Sequence, residues 1–136
     1  MKIDKTKSKI ERYIYRLNPN QYKLIDDGDL YLYKLKEDGT LYKYIINNYY
    51  KVKMNDYSKK LYYIFQIDDS STIYTIEDNN IDRFVSSRIL SFNDNIEDAY
   101  DIVMADLVVK RDNYYKKYCE AQHKINKVKE NISKYE

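Results

Sequence analysis

The sequence is poor in the residues from which most active sites are built. It has two glycines, Gly28 and Gly39, each directly after an aspartate. A phosphate-cradling loop needs several glycines in one turn, so the sequence carries no nucleotide-binding loop of that kind. The one cysteine, Cys119, makes no internal disulfide, and the one histidine, His123, seeds no metal cluster. No run approaches the roughly 18 apolar residues of a membrane-spanning helix, and the first residues lack the apolar stretch of a signal peptide. These absences predict a soluble chain in a reducing cytoplasm, with no cofactor, no metal and no membrane association.

Tryptophan is also missing, and proline (1) and alanine (3) are scarce, whereas tyrosine (18), isoleucine (16) and asparagine (12) abound. The abundant residues have A/T-rich codons, which points to the genome of a low-GC bacterium or one of its phages. Part of the tyrosine excess therefore needs no functional cause. A chain of 136 residues is one domain that can bury a core without staples. The net charge of +2 is too small for a dedicated nucleic-acid binder. It is unevenly spread, with +6 over residues 1–65, −8 over 66–106 and +4 over 107–136. Such segregated patches either pair within the fold or meet different partners.

Residues 8–17 open with Ser8 and Glu11 at capping-box spacing, and Ile10, Tyr13, Ile14 and Leu17 follow at helical spacing. "NPN" at 18–20 ends this short helix. Residues 21–46 read as two hairpins turning at Asp27-Gly28 and Asp38-Gly39. Two-residue loops there pair Leu24 with Tyr31, Tyr33 with Tyr44 and Tyr31 with Ile46. Tyr22, Tyr31, Tyr33, Tyr42 and Tyr44 then share one face, while Lys34 falls opposite Lys43 on the other. The tyrosine face is thus expected to be core. Further strands are expected at 49–54, 60–67, 72–77 and 81–90, separated by turns at 55–58 and 68–71.

The pattern then changes to helical. Asp94 and Glu97 form a second capping-box pair, and no glycine or proline follows. Tyr100, Met104, Leu107, Arg111, Tyr114, Tyr118, Ala121, Ile125, Val128, Ile132 and Tyr135 trace a heptad seam. Such a helix of about 40 residues is roughly 60 Å long. Its first half is expected to pack on the sheet and its second half to overhang, partly covered by the helix 8–17. The fold class is therefore α+β: an antiparallel meander of five or six strands curled into a small barrel or half-barrel, between a short N-terminal and a long C-terminal helix. The expected parts are a segment 1–20, a β region 21–92 and a helical region 93–136, in a single domain.

Tyr49, Tyr57 and Tyr63 find no place on the tyrosine face and are candidates for a contact surface. The acidic stretch, with Asp68 and Asp69 at its start, lacks the spacing of a calcium loop; its acids at 94, 97 and 98 match the dipole of the helix that follows, and the alternative is an acidic face for a basic partner groove. Cys119 and His123 fall off the seam and read as solvated. Lys110, Lys117 and Lys124 flank the seam on one side, with Gln122 and Lys129 on the other. A parallel homodimer would set Lys124 against Lys129, so self-association lacks charge support. Lys117, Lys124, Ile125, Val128 and Ile132 are the candidate partner-binding residues of this helix.

The run "SFNDNIEDAYDIVMADLVVKRDNYYKKYCEAQHKINKVKEN", residues 91–131, carries an SF-x-x-x-x-E-x-A helix opening followed by a long charged helix. In this it resembles small accessory proteins of phages that infect low-GC bacteria, over about the last third of the chain. The resemblance implies a non-enzymatic inhibitor of a host defence component, such as a CRISPR nuclease, acting in the host cytoplasm. Its partner would be a host protein or a protein–nucleic acid complex, with homo-oligomerisation as a further possibility. The alternatives are a nucleotide or nucleic-acid binding module, such as a sponge for a signalling nucleotide, and an assembly protein docking through its C-terminal helix. Direct nucleic-acid binding is the less favoured.

Overall fold

In a computed structural model, residues 8–17, 24–25, 29–53, 60–67 and 72–134 are described. Helix α1 (Lys9–Leu17) begins where the sequence places it. The Ser8 hydroxyl accepts from the Glu11 backbone N–H at 3.3 Å, and the Ser8 carbonyl accepts the first helical bond from Arg12. Ile10 and Ile14, one turn apart, are its buried face.

Eight strands follow among the described residues: β1 (Leu24–Ile25), β2 (Leu30–Leu35), β3 (Leu41–Ile46), β4 (Tyr49–Lys53), β5 (Leu61–Gln66), β6 (Ile73–Glu77), β7 (Phe84–Val85) and β8 (Arg88–Ser91). Helix α2 (Ile96–Ser133) ends the described chain. The fold class is α+β, as expected. The strands form two antiparallel four-stranded sheets, ordered β1-β4-β5-β6 and β3-β2-β8-β7. They are partly curled and do not close into a barrel. The chain changes sheets at Asn47-Asn48, so the consecutive strands β3 and β4 do not pair.

The first sheet is apolar on both faces. Tyr50, Val52 and Ile64 meet Ile10 and Ile14 of α1. On the other side Tyr49, Tyr63, Phe65 and Ile76 join Leu30, Leu32, Ile46 and Leu90 of the second sheet in the main core. Aromatic edges help to knit this layer: the Tyr63 ring is 5.9 Å from Tyr49 and 5.8 Å from Phe92.

Three sequence expectations fail here, each for a physical reason. The β2–β3 loop has three residues, not two. Lys36 and Thr40 close it, with the Lys36 N–H donating to the Thr40 carbonyl at 2.8 Å, and Gly39 takes the left-handed conformation at φ 85°. The pairing is therefore Leu32 with Tyr44, Tyr33 with Lys43 and Lys34 with Tyr42. A shift of one residue moves a whole strand's side chains to the other face. Tyr42 and Tyr44 thus lie on the opposite face from Tyr31 and Tyr33, and no common tyrosine face exists. Lys43 is not across from Lys34. It pairs with Asp94 and sits 5.1 Å from the Tyr31 ring.

The second failure is the hairpin at Asp27-Gly28. β1 pairs with β4, Leu24 opposite Tyr50, and so lies in the other sheet from β2. The turn itself lies outside the described residues, as do "NPN" at 18–20 and the turns at 55–58 and 68–71. The third is the cap of α2. Asn95, not Asp94, precedes the helix: its side-chain oxygen accepts from the Glu97 N–H at 2.9 Å. Asp94 is engaged with Lys43 instead. The segment before the helix is tied to the outer face of the second sheet. The Tyr33 hydroxyl donates to the Asn93 carbonyl, and the Tyr100 hydroxyl accepts from the Leu41 N–H at 2.8 Å on edge strand β3.

The chain divides into two compact units between Tyr100 and Asp101, within α2.

Candidate docking surface on the C-terminal helix

The second unit is the continuation of α2, a 38-residue helix about 57 Å long. Within the helix the buried positions are Ala99 and Val103, four residues apart, with Asp106 half-buried. This stripe is not the heptad seam. Met104 and Leu107 lie on the seam and are exposed. The reason is visible in the sequence: residues 96–109 are apolar on more than one side, so small and β-branched residues off the seam provide the close-packing face.

From Val109 to Lys134 every residue is exposed. Tyr114, Tyr118, Ile125, Val128 and Ile132 are between 48% and 70% exposed. That leaves them shielded by little more than the helix that bears them. The apolar face of α1, expected to cover part of this seam, is occupied by the first sheet. Lys117 and Lys124 are exposed beside the seam, as are Lys110 and Lys129. The seam is thus an apolar stripe with cationic margins. A helix with no tertiary cover is only marginally stable in water. Local pairs give α2 some support, with Asp106–Lys110 at 2.7 Å and Gln122–Asn126 at 3.1 Å, but such pairs contribute only tenths of a kcal/mol.

Tyr115, beside the seam, was not singled out by the sequence reading. With Tyr114 and Tyr118 it forms an exposed aromatic cluster at "YYKKY". Its phenol is pushed up by a hydrogen bond with Cys119, one turn further on. Cys119 is itself exposed.

The remaining candidates divide differently. Tyr49 and Tyr63 are not contact residues: they are 1% and 3% exposed, in the core between the sheets. Their strands alternate, and the odd positions of β4 and β5 face the second sheet. Tyr57, Asp68 and Asp69 lie outside the described residues.

A cleft of about 440 Å3 opens between α1 and the β3–β4 link, lined by Glu11, Tyr50, Asn47, Asn48 and Gln66 among others. The Glu11 carboxylate accepts from the Tyr50 hydroxyl, and burial, with this carboxylate beside it, pushes the Tyr50 phenol up. Among the described residues no three His, Cys, Asp or Glu side chains are grouped to hold a metal, and no helix is long and apolar enough to cross a membrane. No protein-family model, curated protein or solved structure matches the chain.

Proposed function

We propose that this chain is a non-enzymatic binding protein that docks on its partner through the seam of α2. The observation that carries the reading is the exposed stripe from Tyr114 to Ile132, with Lys117 and Lys124 along one margin and Lys129 on the other. Exposed tyrosines are frequent binding anchors, and an apolar face of this length is a liability unless something covers it. The occupant that fits is an amphipathic helix of another protein, apolar at the seam and acidic on its flanks. A second copy of the chain sets lysine against lysine. The resemblance of residues 91–131 to phage accessory proteins supports the more specific form of the proposal, a stoichiometric inhibitor of a host defence component in the cytoplasm.

The test compares the wild-type chain with Ile125→Asp and Val128→Asp. Both positions are exposed, so both variants keep the parent's thermal transition. Capture of a partner from a low-GC bacterial lysate is lost in both and is retained in Lys43→Gln, a change in the first unit. Light scattering shows a monomer across a wide concentration range. A dimer dissolved by either seam variant, or capture indifferent to both, overturns the proposal.

A further inference from the structure

The acidic stretch 66–106 contains only two basic residues, Arg83 and Arg88. Both line one cleft of about 230 Å3 in the first unit, between edge strand β6 and the β7–β8 hairpin. The nearby acids are already engaged: Asp78 with Lys51 at 3.8 Å, Glu77 with Lys60 at 3.9 Å, and Asp82 with the Ser91 hydroxyl. Among the described residues neither guanidinium has a carboxylate partner. Arg88 lies over the Tyr74 ring, 5.2 Å from its centre, and Arg83 is exposed.

The backbone that carries the two arginines is unusual. Asp82, Ser86 and Ser87 have φ of 58°, 52° and 66°, a region that residues other than glycine visit sparingly. Ser86-Ser87 is the two-residue turn that pairs Val85 with Arg88, and the Asp82 N–H donates to the Leu90 carbonyl at 2.8 Å. Left-handed residues thus directly precede both arginines. At Ser86-Ser87 this is the geometry a two-residue hairpin turn requires, and it fixes where Arg88 leaves the turn; Asp82 is the left-handed residue outside that turn, directly before Arg83.

We infer that this cleft binds the phosphate of a small phosphate monoester. Two guanidinium forks match a dianionic tetrahedral oxyanion in charge and donor geometry. Asn80 adds a neutral polar group on the wall. The cleft is smaller than the roughly 300–1,000 Å3 of sites for drug-sized ligands. Asp78 and Asp82, close in sequence to the arginines, oppose an extended polyanion. Glu77, also on the wall, opposes a second anionic group. A single phosphate on a short carbon skeleton satisfies all three limits.

Amide chemical shifts are followed while inorganic phosphate, glycerol 3-phosphate or chloride is added at constant ionic strength. Both phosphates produce saturable shifts confined to residues 75–90, and chloride does not. Tighter binding of glycerol 3-phosphate identifies an ester as the ligand, whereas equal affinities identify free phosphate and overturn the ester assignment. Arg83→Gln weakens binding about tenfold or more, as expected for the loss of a charge-assisted hydrogen bond. Arg88→Gln does the same, and Arg88→Lys, which keeps the charge if loss of the ring contact unfolds Arg88→Gln, loses the fork and weakens binding by a similar factor. Shifts that follow ionic strength whatever the anion, or an Arg83→Gln variant that binds like the wild type, overturn the inference.

Discussion

Tyr33 offers a test of how the sheet is tied to the start of α2. Its side chain is 1% exposed, and its hydroxyl donates to the Asn93 carbonyl at 2.5 Å. Burial, followed by the nearby Asp94 carboxylate, pushes its phenol up to about 12. Tyr33→Phe keeps the ring in place and removes only the hydroxyl. Near neutral pH the cost is about 1 kcal/mol, at the modest end for a lost hydrogen bond because water reaches the exposed Asn93. Alkaline pH changes the comparison. The unfolded chain releases the phenolic proton near pH 10 and the folded chain near pH 12. Between these values the unfolded state binds fewer protons, so the stability contributed by Tyr33 is intact below the lower value and falls as pH rises. Linkage gives a loss of about 1.4 kcal/mol at about pH 11, and about 2.7 kcal/mol once both states are ionised. The phenylalanine variant has no such loss. The advantage of the wild type, about 1 kcal/mol at about pH 8 by the hydrogen-bond figure above, should vanish or reverse at about pH 11. Tyr31 and Tyr50, whose phenols are also raised, are common to both proteins and cancel to first order. Urea unfolding followed by circular dichroism at the two pH values reads the difference directly. A difference that stays constant with pH would refute the reasoning, because the Tyr33 hydroxyl would then be titrating as if in water.

Three further outcomes are expected. Asn95→Ala should cost about 1 kcal/mol in thermal or urea unfolding through loss of the α2 cap, and equal sensitivity to glycine would exclude a side-chain cap. Gly39→Ala should cost about 1 kcal/mol through its left-handed backbone alone, since nothing lies within 4 Å of an added methyl group. Amide hydrogens of residues 110–134 should exchange with little protection while those of β2, β5 and β8 are strongly protected, and strong protection in the free monomer would show that the helix end needs no partner.

The strands of this fold were legible from alternation and turn residues: β4, β5 and β6 fall within a residue or so of where the pattern places them. Register was not. Asp38-Gly39 suits a two-residue turn, but it equally suits a three-residue loop in which only the glycine is left-handed. Nothing local separates the two, yet the difference decides which face each tyrosine of β3 occupies. The β7–β8 turn was missed for the opposite reason. Ser86-Ser87 adopts a conformation that sequence rules reserve for glycine and asparagine, so the stretch read as one strand. The seam of α2 was legible because heptad spacing is a property of the helix alone. The stripe that is buried, Ala99 and Val103, was not separable from it where several faces are apolar.

The tyrosines show how one residue type meets opposite demands in a chain that lacks tryptophan and has few alanines. In the first unit four of the described ones are core aromatics and most of the others are half-buried, with Tyr42 and Tyr100 exposed. Tyr33, Tyr49, Tyr50 and Tyr63 are buried, and the hydroxyl of Tyr33 reaches a backbone carbonyl. Tyr100, at the limit of that unit, uses its hydroxyl to satisfy an edge-strand N–H. In the second unit the same residue type has nothing to pack on. Tyr114, Tyr115 and Tyr118 cluster within five positions on a helix face that no described residue covers. Codon bias accounts for abundance but not for this partition. A bias acting alone would not gather three tyrosines within five positions of one helix beside the lysines of the seam. The burial of one set follows from sheet packing, whereas the exposure of the other is the feature that the proposed docking through α2 would account for.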